Sequence, residues 1–114
     1  MPSICHTINY VEFGAVDLPA IKAFYAEAFG WTFTDYGPEY VAFSKSGLEG
    51  GFTTQSKPGG NPLVILYSDA LETTKDGVLA AGGKIVKDIY AFPGGRRFHF
   101  TDPSGNELAV WSDK

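Results

Sequence analysis

The stretch FHFTDPSGNELAVWS (98–112) holds side chains that could do acid–base or metal chemistry. It predicts a strand, a tight turn at DPSGN and a final strand. Because side chains alternate between the two faces of a strand, Arg97 and His99 share one face, and Glu107 and Trp111 share another. Imidazoles and carboxylates bind first-row divalent metals and also transfer protons. This hairpin is therefore the first candidate for a site.

A second polar face is predicted near the start of the chain. The stretch ICHTINYVEF (4–13) alternates as a strand, with His6, Tyr10 and Glu12 on one side. Together with His99 and Glu107 on the closing hairpin, Glu12 would complete a ligand set of two carboxylates and an imidazole.

Three interpretations of Glu12, His99 and Glu107 remain open. They could bind a divalent metal. One of the two glutamates could act as a general base, with His99 as the acid, in proton transfer without a metal. Alternatively, a glutamate pairs with Arg97 while His99 is hydrogen bonded to a neighbour, which would be a structural role.

Arg96 and Arg97 follow a Pro-Gly-Gly turn, where they could clamp an anionic group. The alternative is an exposed turn with Arg96 in solvent. Cys5 has no second thiol to pair with, so it is predicted to be an inert strand cysteine. The other aromatic side chains are expected to pack in the core, among them Tyr36, Tyr40, Phe43 and Phe52.

The bulk composition limits the classes of function. The chain has 114 residues, a mass of 12.3 kDa and a net charge of −4. Its lysines and arginines are dispersed, which argues against nucleic-acid binding. No apolar run approaches the roughly 20 residues of a membrane span. The N-terminus lacks the pattern of a secretory signal, so a cytoplasmic location is predicted.

The order of predicted elements repeats once along the chain. Asp17 caps a helix that ends at Gly30, and a second helix is predicted over 70–83. The predicted strands are 4–13, 31–36, 39–44, 50–55, 63–68, 84–90, 96–101 and 107–112. Two β-α-β-β-β modules follow, at about 4–56 and 62–112, joined by the linker KPGGNP. Each is too short to bury its sheet alone, so both are expected to form one domain, 1–114.

Three motifs in this order resemble the vicinal oxygen chelate superfamily, which includes glyoxalase I, bleomycin resistance proteins and extradiol dioxygenases. They are VDLPAIKAFYAEAFGW (16–31), AAGGKIV (80–86) and TDPSGNELAVW (101–111). The resemblance implies an α+β fold in which two β-α-β-β-β modules form a cup-shaped half-barrel. In metal-dependent members, His, Gln or Glu side chains in the cup hold an ion that chelates two adjacent substrate oxygens.

The positions that the family uses for metal ligands hold other residues in this sequence. Tyr10, Leu63 and Ala109 stand at three of them. The fourth cannot be placed in register, and Thr53 and Gln55 are its polar candidates. A neutral phenol is a poor ligand, and leucine and alanine offer no donor atom. No metal site is therefore predicted at the usual positions.

The sequence predicts a metal-free member that binds a small anionic or aromatic molecule in the cup, with no cofactor. The alternative is a divalent-metal-dependent lyase or isomerase of the lactoylglutathione lyase type, using a displaced Glu/His/Glu set. A ligand-free regulatory or structural module is a third possibility. Members of this family commonly dimerise, so a homodimer is expected. The predicted catalytic residues are Glu12, His99 and Glu107, and the predicted ligand-binding residues are Tyr10, Tyr67, Arg97 and Trp111.

Overall fold

The computed structural model describes residues 4–114, which form two α-helices and eight β-strands. In chain order the elements are β1 (Thr7–Gly14), α1 (Leu18–Phe29), β2 (Thr32–Asp35), β3 (Tyr40–Ser44), β4 (Glu49–Thr53), β5 (Leu63–Tyr67), α2 (Leu71–Ala80), β6 (Lys84–Phe92), β7 (Gly95–Thr101) and β8 (Glu107–Ser112). The order β-α-β-β-β occurs twice, which confirms the predicted α+β fold class.

The chain divides into two compact units. The first unit is Tyr10–Leu63, and the second unit comprises residues 4–9 and 64–114. The strand order is β2-β3-β4-β1 in the first unit and β5-β8-β7-β6 in the second. In each, one pair of strands is parallel (β1 with β4, β5 with β8) and the other pairs are antiparallel. The single domain and the module limits predicted from the sequence stay predictions.

Helix α1 begins and ends where its capping residues predict. The carboxylate of Asp17 accepts a hydrogen bond from the backbone N–H of Ala20 at 3.1 Å, and Pro19 occupies the first turn. Gly30 ends the helix in the left-handed conformation, with φ of 76°. The helix contributes Leu18 to the buried hydrophobic cluster of the first unit, whose other members are Ala15, Val41, Phe43 and Phe52.

Two adjacent glycines in β4 make room for aromatic rings. A Cβ atom at Gly50 would lie 2.1 Å from the carbonyl oxygen of Val11 and 2.5 Å from the Phe43 ring. A Cβ atom at Gly51 would lie 2.3 Å from the hydroxyl oxygen of Tyr40. The bare backbone of this strand therefore lets both rings cross it at close range.

Helix α2 is shorter than predicted and has a weaker start. Ala70 precedes it and offers no side-chain cap, and the helix ends at Ala80, ahead of Gly82 with φ of 98°. It packs through Leu71 on Phe98 and Val110, with further partly buried apolar side chains around them. Phe100, two residues after Phe98 on the same side of the strand, packs against this cluster as well.

The structure corrects several limits near the ends of strands. Residue His6 has a φ of 63°, so the chain turns there and β1 begins at Thr7 instead of residue 4. The prediction of a strand cysteine is wrong, because Cys5 lies in this turn, with its Sγ 3.3 Å from a carboxylate oxygen of Asp69.

Tyr36 is 64% exposed and does not belong to the core. Neither helix in residues 4–114 has the length and apolar character needed to cross a membrane.

Candidate functional site

One face of the sheet in the second unit gathers most of the predicted site residues. Residues that pair directly across neighbouring strands point to the same face. The pairs on this face are Ile65 with Ala109, Tyr67 with Trp111, His99 with Ala109, Arg97 with Trp111, and Tyr90 with Arg97. Phe98 and Val110, one residue out of step, pack towards α2 on the opposite face. We call the side chains of Tyr67, Tyr90, Arg97, His99, Glu107 and Trp111 the polar face.

A chain of hydrogen bonds runs through four side chains of the polar face. The Nε of Arg97 donates to the hydroxyl of Tyr90. That hydroxyl lies 2.9 Å from Nε2 of His99, and Nδ1 of His99 lies 3.0 Å from Oε2 of Glu107. These hydrogen bonds connect strands β6, β7 and β8, and Glu107 lies at the more exposed end of the series.

The donor and the acceptor of each hydrogen bond in this series follow from the chemistry of the side chains. His99 is only 9% exposed, and burial lowers the pKa of its imidazole, against the opposing effect of Glu107. At neutral pH the ring is therefore uncharged and carries one N–H. Because the Glu107 carboxylate can only accept, that proton lies on Nδ1, and Nε2 accepts the hydroxyl proton of Tyr90.

Aromatic rings and cations surround this chain. Trp111 packs edge-on against Tyr67, with ring centroids 5.1 Å apart, and its Nε1 donates to the side chain of Asn9 at 3.0 Å. The hydroxyl of Tyr67 donates to Asp113 at 2.5 Å, which raises the pKa of the phenol to about 12. The positive charge of Lys87 lies close to these groups, because its Nζ is 4.1 Å from the centroid of the Tyr90 ring.

The two adjacent arginines have separate surroundings. Arg96 is ion-paired with Glu72 of α2 and donates to the backbone oxygen of Lys114 at 2.9 Å. The pairing lowers the pKa of the Glu72 carboxyl and raises that of the guanidinium. Arg96 therefore forms an ion pair at the protein surface, and only Arg97 belongs to the polar face.

The first unit contains a different polar group, built on strands β1 and β3. The hydroxyl of Tyr40 donates to Oε2 of Glu12 at 3.0 Å, and the hydroxyls of Tyr10 and Tyr40 are 2.5 Å apart. Glu12 is 8% exposed. Burial and the nearby Glu12 raise the pKa of Tyr40 far above its usual value, so its phenol stays protonated. Tyr10 is then the donor in its bond with Tyr40.

The predicted site residues are thus divided between the units. Tyr10 and Glu12 lie in the first unit, whereas Tyr67, Arg97, His99, Glu107 and Trp111 lie in the second. Within the second unit the structure brings His99 and Glu107 into direct contact. Their catalytic roles, and that of Glu12, stay predictions.

Sequence reasoning missed two residues, Tyr40 and Tyr90. Tyr40 is expected in the core from the sequence, whereas the structure places its ring against Gly51 of β4 and its hydroxyl on Glu12. Tyr90 lies on β6, where two irregularities in the register separate Ile85 from Lys87 and Lys87 from Tyr90. No short motif marks such irregularities in advance.

The residues at the family's usual metal positions do not fit a metal. Leu63 and Ala109 carry no donor atom, and Tyr10 is hydrogen bonded to Tyr40. Both ring nitrogens of His99 are engaged within the sheet. Over residues 4–114, no group of three or more His, Cys, Asp or Glu side chains is placed to hold an ion.

The remaining metal position is no better supplied. The hydroxyl of Thr53 accepts a hydrogen bond from the backbone of Gln55 at 3.0 Å. Gln55 itself lies beyond the end of β4, where its amide donates to Glu39 at 2.5 Å. Neither of the two polar candidates from the sequence is therefore presented from the strand as a free donor.

The fold, with two β-α-β-β-β units and a polar sheet face, defines a known class of protein. Residues 7–110 match the Glyoxalase/Bleomycin resistance protein/Dioxygenase superfamily. The chain belongs to this superfamily and is a small glyoxalase-like member.

Named relatives are longer than this chain. It is 26% identical over 117 residues to "Putative glyoxylase CFP32" of Mycobacterium bovis and of Mycobacterium tuberculosis. The match covers 92% of this chain and 45% of those proteins, so the chain spans about half their length.

Solved structures agree on the fold. An Mn(II)-bound glyoxalase from Novosphingobium aromaticivorans is 26% identical, with a TM-score of 0.70 over 98% of this chain and 40% of that one. A superfamily member from Vibrio splendidus 12B01 is 13% identical, with a TM-score of 0.70 over 93% of this chain and 99% of that one. The second likeness concerns the fold alone.

Proposed function

We propose that this chain binds a small anionic or aromatic molecule on the polar face of the second unit, without a metal ion. One observation carries the proposal, namely that two cations lie over aromatic rings of one sheet face. Nζ of Lys87 is 4.1 Å from the Tyr90 centroid, and Cζ of Arg97 is 5.6 Å from Tyr90 and 5.7 Å from Phe92. Trp111 lies next to Phe92, with centroids 6.4 Å apart.

This combination favours a ligand with a planar ring and a negative charge. The rings offer surfaces for stacking, and cations attract a carboxylate or phosphate. Glu107 and Asp113 are exposed and limit the net positive charge of the face. Tyr67, Arg97 and Trp111 are the proposed binding residues here, with Tyr10 proposed as a further one in the first unit. Glu12, His99 and Glu107 are the proposed catalytic residues.

A thermal-shift screen of aromatic carboxylates and phosphates tests the binding proposal. At least one compound is expected to raise the melting temperature, and Arg97→Gln should abolish that shift. Arg96→Gln is the matched control, because Arg96 is the adjacent residue of β7 but pairs with Glu72. That variant should melt earlier while keeping the ligand-induced shift. A panel without any hit, or a shift that survives Arg97→Gln, contradicts the proposal.

A metal-dependent lyase or isomerase is the second candidate. The 26% identity to an Mn(II)-bound glyoxalase favours it. A metal held by His99 and Glu107 would have to replace hydrogen bonds of His99, which weakens the case. Calorimetric titration of the untagged protein with Mn²⁺, Ni²⁺ and Zn²⁺ decides between the candidates. One equivalent of bound metal, lost in His99→Gln, would favour the metal enzyme.

We also propose a homodimer. The first unit exposes several large apolar side chains, which are Val16 at 81%, Phe24 at 56%, Phe29 at 63% and Tyr36 at 64%. The rings of Phe24 and Phe29 are adjacent, with centroids 6.3 Å apart, and contiguous exposed apolar surface is typical of protein interfaces. Light scattering coupled to gel filtration should give twice the chain mass of 12.3 kDa, and a monomer mass at all concentrations would contradict the proposal.

A further inference from the structure

We propose that Glu107, His99 and Tyr90 form a carboxylate–imidazole–hydroxyl triad that activates the Tyr90 hydroxyl towards the bound molecule. The inference rests on the proposed function, since it places the ligand on the same sheet face. It adds a residue, Tyr90, and it changes the roles of the other two. His99 becomes the base that serves Tyr90, and Glu107 becomes its positioning residue.

The geometry is that of a nucleophile, a base and a group that orients the base. The Tyr90 hydroxyl lies 2.9 Å from Nε2 of His99, within reach of direct proton transfer. Glu107 holds Nδ1 of the same ring at 3.0 Å and thereby keeps Nε2 free of a proton. The three side chains come from β6, β7 and β8, which are adjacent strands of one sheet.

Positive groups are placed where the phenol would become negative. The Nε of Arg97 donates to the Tyr90 oxygen itself. Nζ of Lys87 lies 4.1 Å from the centroid of its ring. Donors already aimed at a developing negative charge need no rearrangement during the reaction. A structural tyrosine in a sheet would need neither the directed proton nor these two cations.

The proposed chemistry is proton transfer with a weakly acidic ligand. The Tyr90 proton moves to Nε2 of His99, which forms an imidazolium beside the Glu107 carboxylate. The phenolate oxygen then takes a proton from a C–H or O–H group of the ligand, leaving the ligand as an anion near Arg97. The reverse steps return a proton to the ligand, so no oxidant, reductant or second reactant is consumed. The class of reaction is isomerisation or hydrogen exchange next to an electron-withdrawing group.

An aryl sulfonyl fluoride probes the activated hydroxyl without any ligand. The phenol oxygen attacks sulfur, an S–O bond forms, the S–F bond breaks, fluoride leaves, and the proton goes to His99. Mass spectrometry of peptides then gives the labelling rate of each tyrosine. Tyr90 should react at least about tenfold faster than Tyr36, which is 64% exposed and serves as the internal control.

Variants separate activation from exposure. Glu107→Gln should slow labelling of Tyr90 by about tenfold or more, and His99→Gln should slow it further, without changing labelling of Tyr36. Glu27→Gln, an exposed carboxylate on α1, is the matched control and should change nothing. Circular dichroism confirms that each variant is folded. Should His99→Gln fail to fold, Glu107→Gln alone decides, because Glu107 is exposed.

The possible results all bear on the triad. Equal rates at Tyr36 and Tyr90, or a rate unchanged by Glu107→Gln, would overturn it. The labelling assay needs no ligand and the thermal-shift screen needs no reactive tyrosine, so the two proposals fail separately. Selective labelling without a screening hit would count against the proposed ligand class only.

Discussion

In the first unit a buried carboxylate, Glu12, receives its hydrogen bond from a phenol, whereas in the second unit an exposed carboxylate, Glu107, receives it from an imidazole. The strand order is the same in both units. The first arrangement contains one carboxylate and two phenols, whereas the second combines a carboxylate and a phenol with a base and two cations. The comparison teaches that the repeated module fixes where side chains point but leaves their chemistry to each copy.

The helices of the two units also differ, both in their N-terminal caps and in the size of the buried cluster beside them. Asp17 caps α1 through its carboxylate, but Ala70 at the equivalent place before α2 has no side-chain hydrogen bond. Five buried residues form the core cluster beside α1, and three form that beside α2. The buried hydrophobic cluster beside α2 is therefore smaller than the one beside α1.

The largest effect is expected from emptying the smaller core. Phe98 is fully buried against Leu71 and Val110. Phe98→Ala should lower the free energy of unfolding by about 3–5 kcal/mol, because it removes buried area and leaves a cavity. Phe29→Ala is the control, since Phe29 is 63% exposed, and should cost much less. Equal losses in urea denaturation would show that the buried ring of Phe98 contributes no more to stability than an exposed one.

The next effect concerns the glycine that faces Tyr40. A methyl group at residue 51 would lie 2.3 Å from the Tyr40 hydroxyl and push it away from Glu12. Gly51→Ala should lower the free energy of unfolding by about 1–3 kcal/mol, measured by urea denaturation. At Gly60 the nearest atom would be 3.9 Å away, so Gly60→Ala should be nearly neutral. A neutral Gly51→Ala would mean that the Tyr40–Glu12 bond contributes little.

Changing the residues that precede the two helices should make the stabilities of α1 and α2 more alike. Asp17→Ala should cost about 1 kcal/mol, because the N–H of Ala20 loses its acceptor. Ala70→Asp should stabilise α2 by about 0.5–1 kcal/mol by supplying the missing acceptor. Both are measured by thermal and urea unfolding. The idea fails if Ala70→Asp is neutral or destabilising, since the backbone before α2 would then not accept a cap.

The smallest effect is a dependence of stability on pH. Burial holds the pKa of His99 below its ordinary value of 6.5, so the unfolded chain binds this proton more readily than the folded chain. The stability that a neutral His99 provides is complete above about pH 6.5 and is lost as pH falls to the lowered pKa. His99→Gln should flatten this part of a urea-denaturation series. Carboxyl groups whose pKa is lowered, such as that of Asp102, should cause a second loss of stability at lower pH.

Much of the fold could be predicted because its signals are local. Asp17 and Gly30 mark both ends of α1, and the alternation of β7 places Phe98 towards the helix. The start of β1 was missed because the left-handed backbone at His6 is uncommon in any residue other than glycine, although histidine adopts it more often than most.

The site could be predicted only in part. Alternation along two strands brought His99 and Glu107 to one face, and their contact follows from adjacent strands. Tyr90 depends on an irregular register, and Tyr40 on an empty space over Gly51. Both are properties of packing between segments distant in sequence, which periodicity within one strand does not encode.

The irregular register of β6 has a consequence for self-association. This nine-residue strand ends the strand order of the second unit, and its apolar side chains include Val86, which is 53% exposed. A straight outer strand of this kind is a template on which another chain can add its own strand and begin to aggregate. Two breaks in register, with Lys84, Lys87 and Asp88 along the strand, oppose such growth. A form of β6 that paired with β7 without these breaks would therefore aggregate more readily.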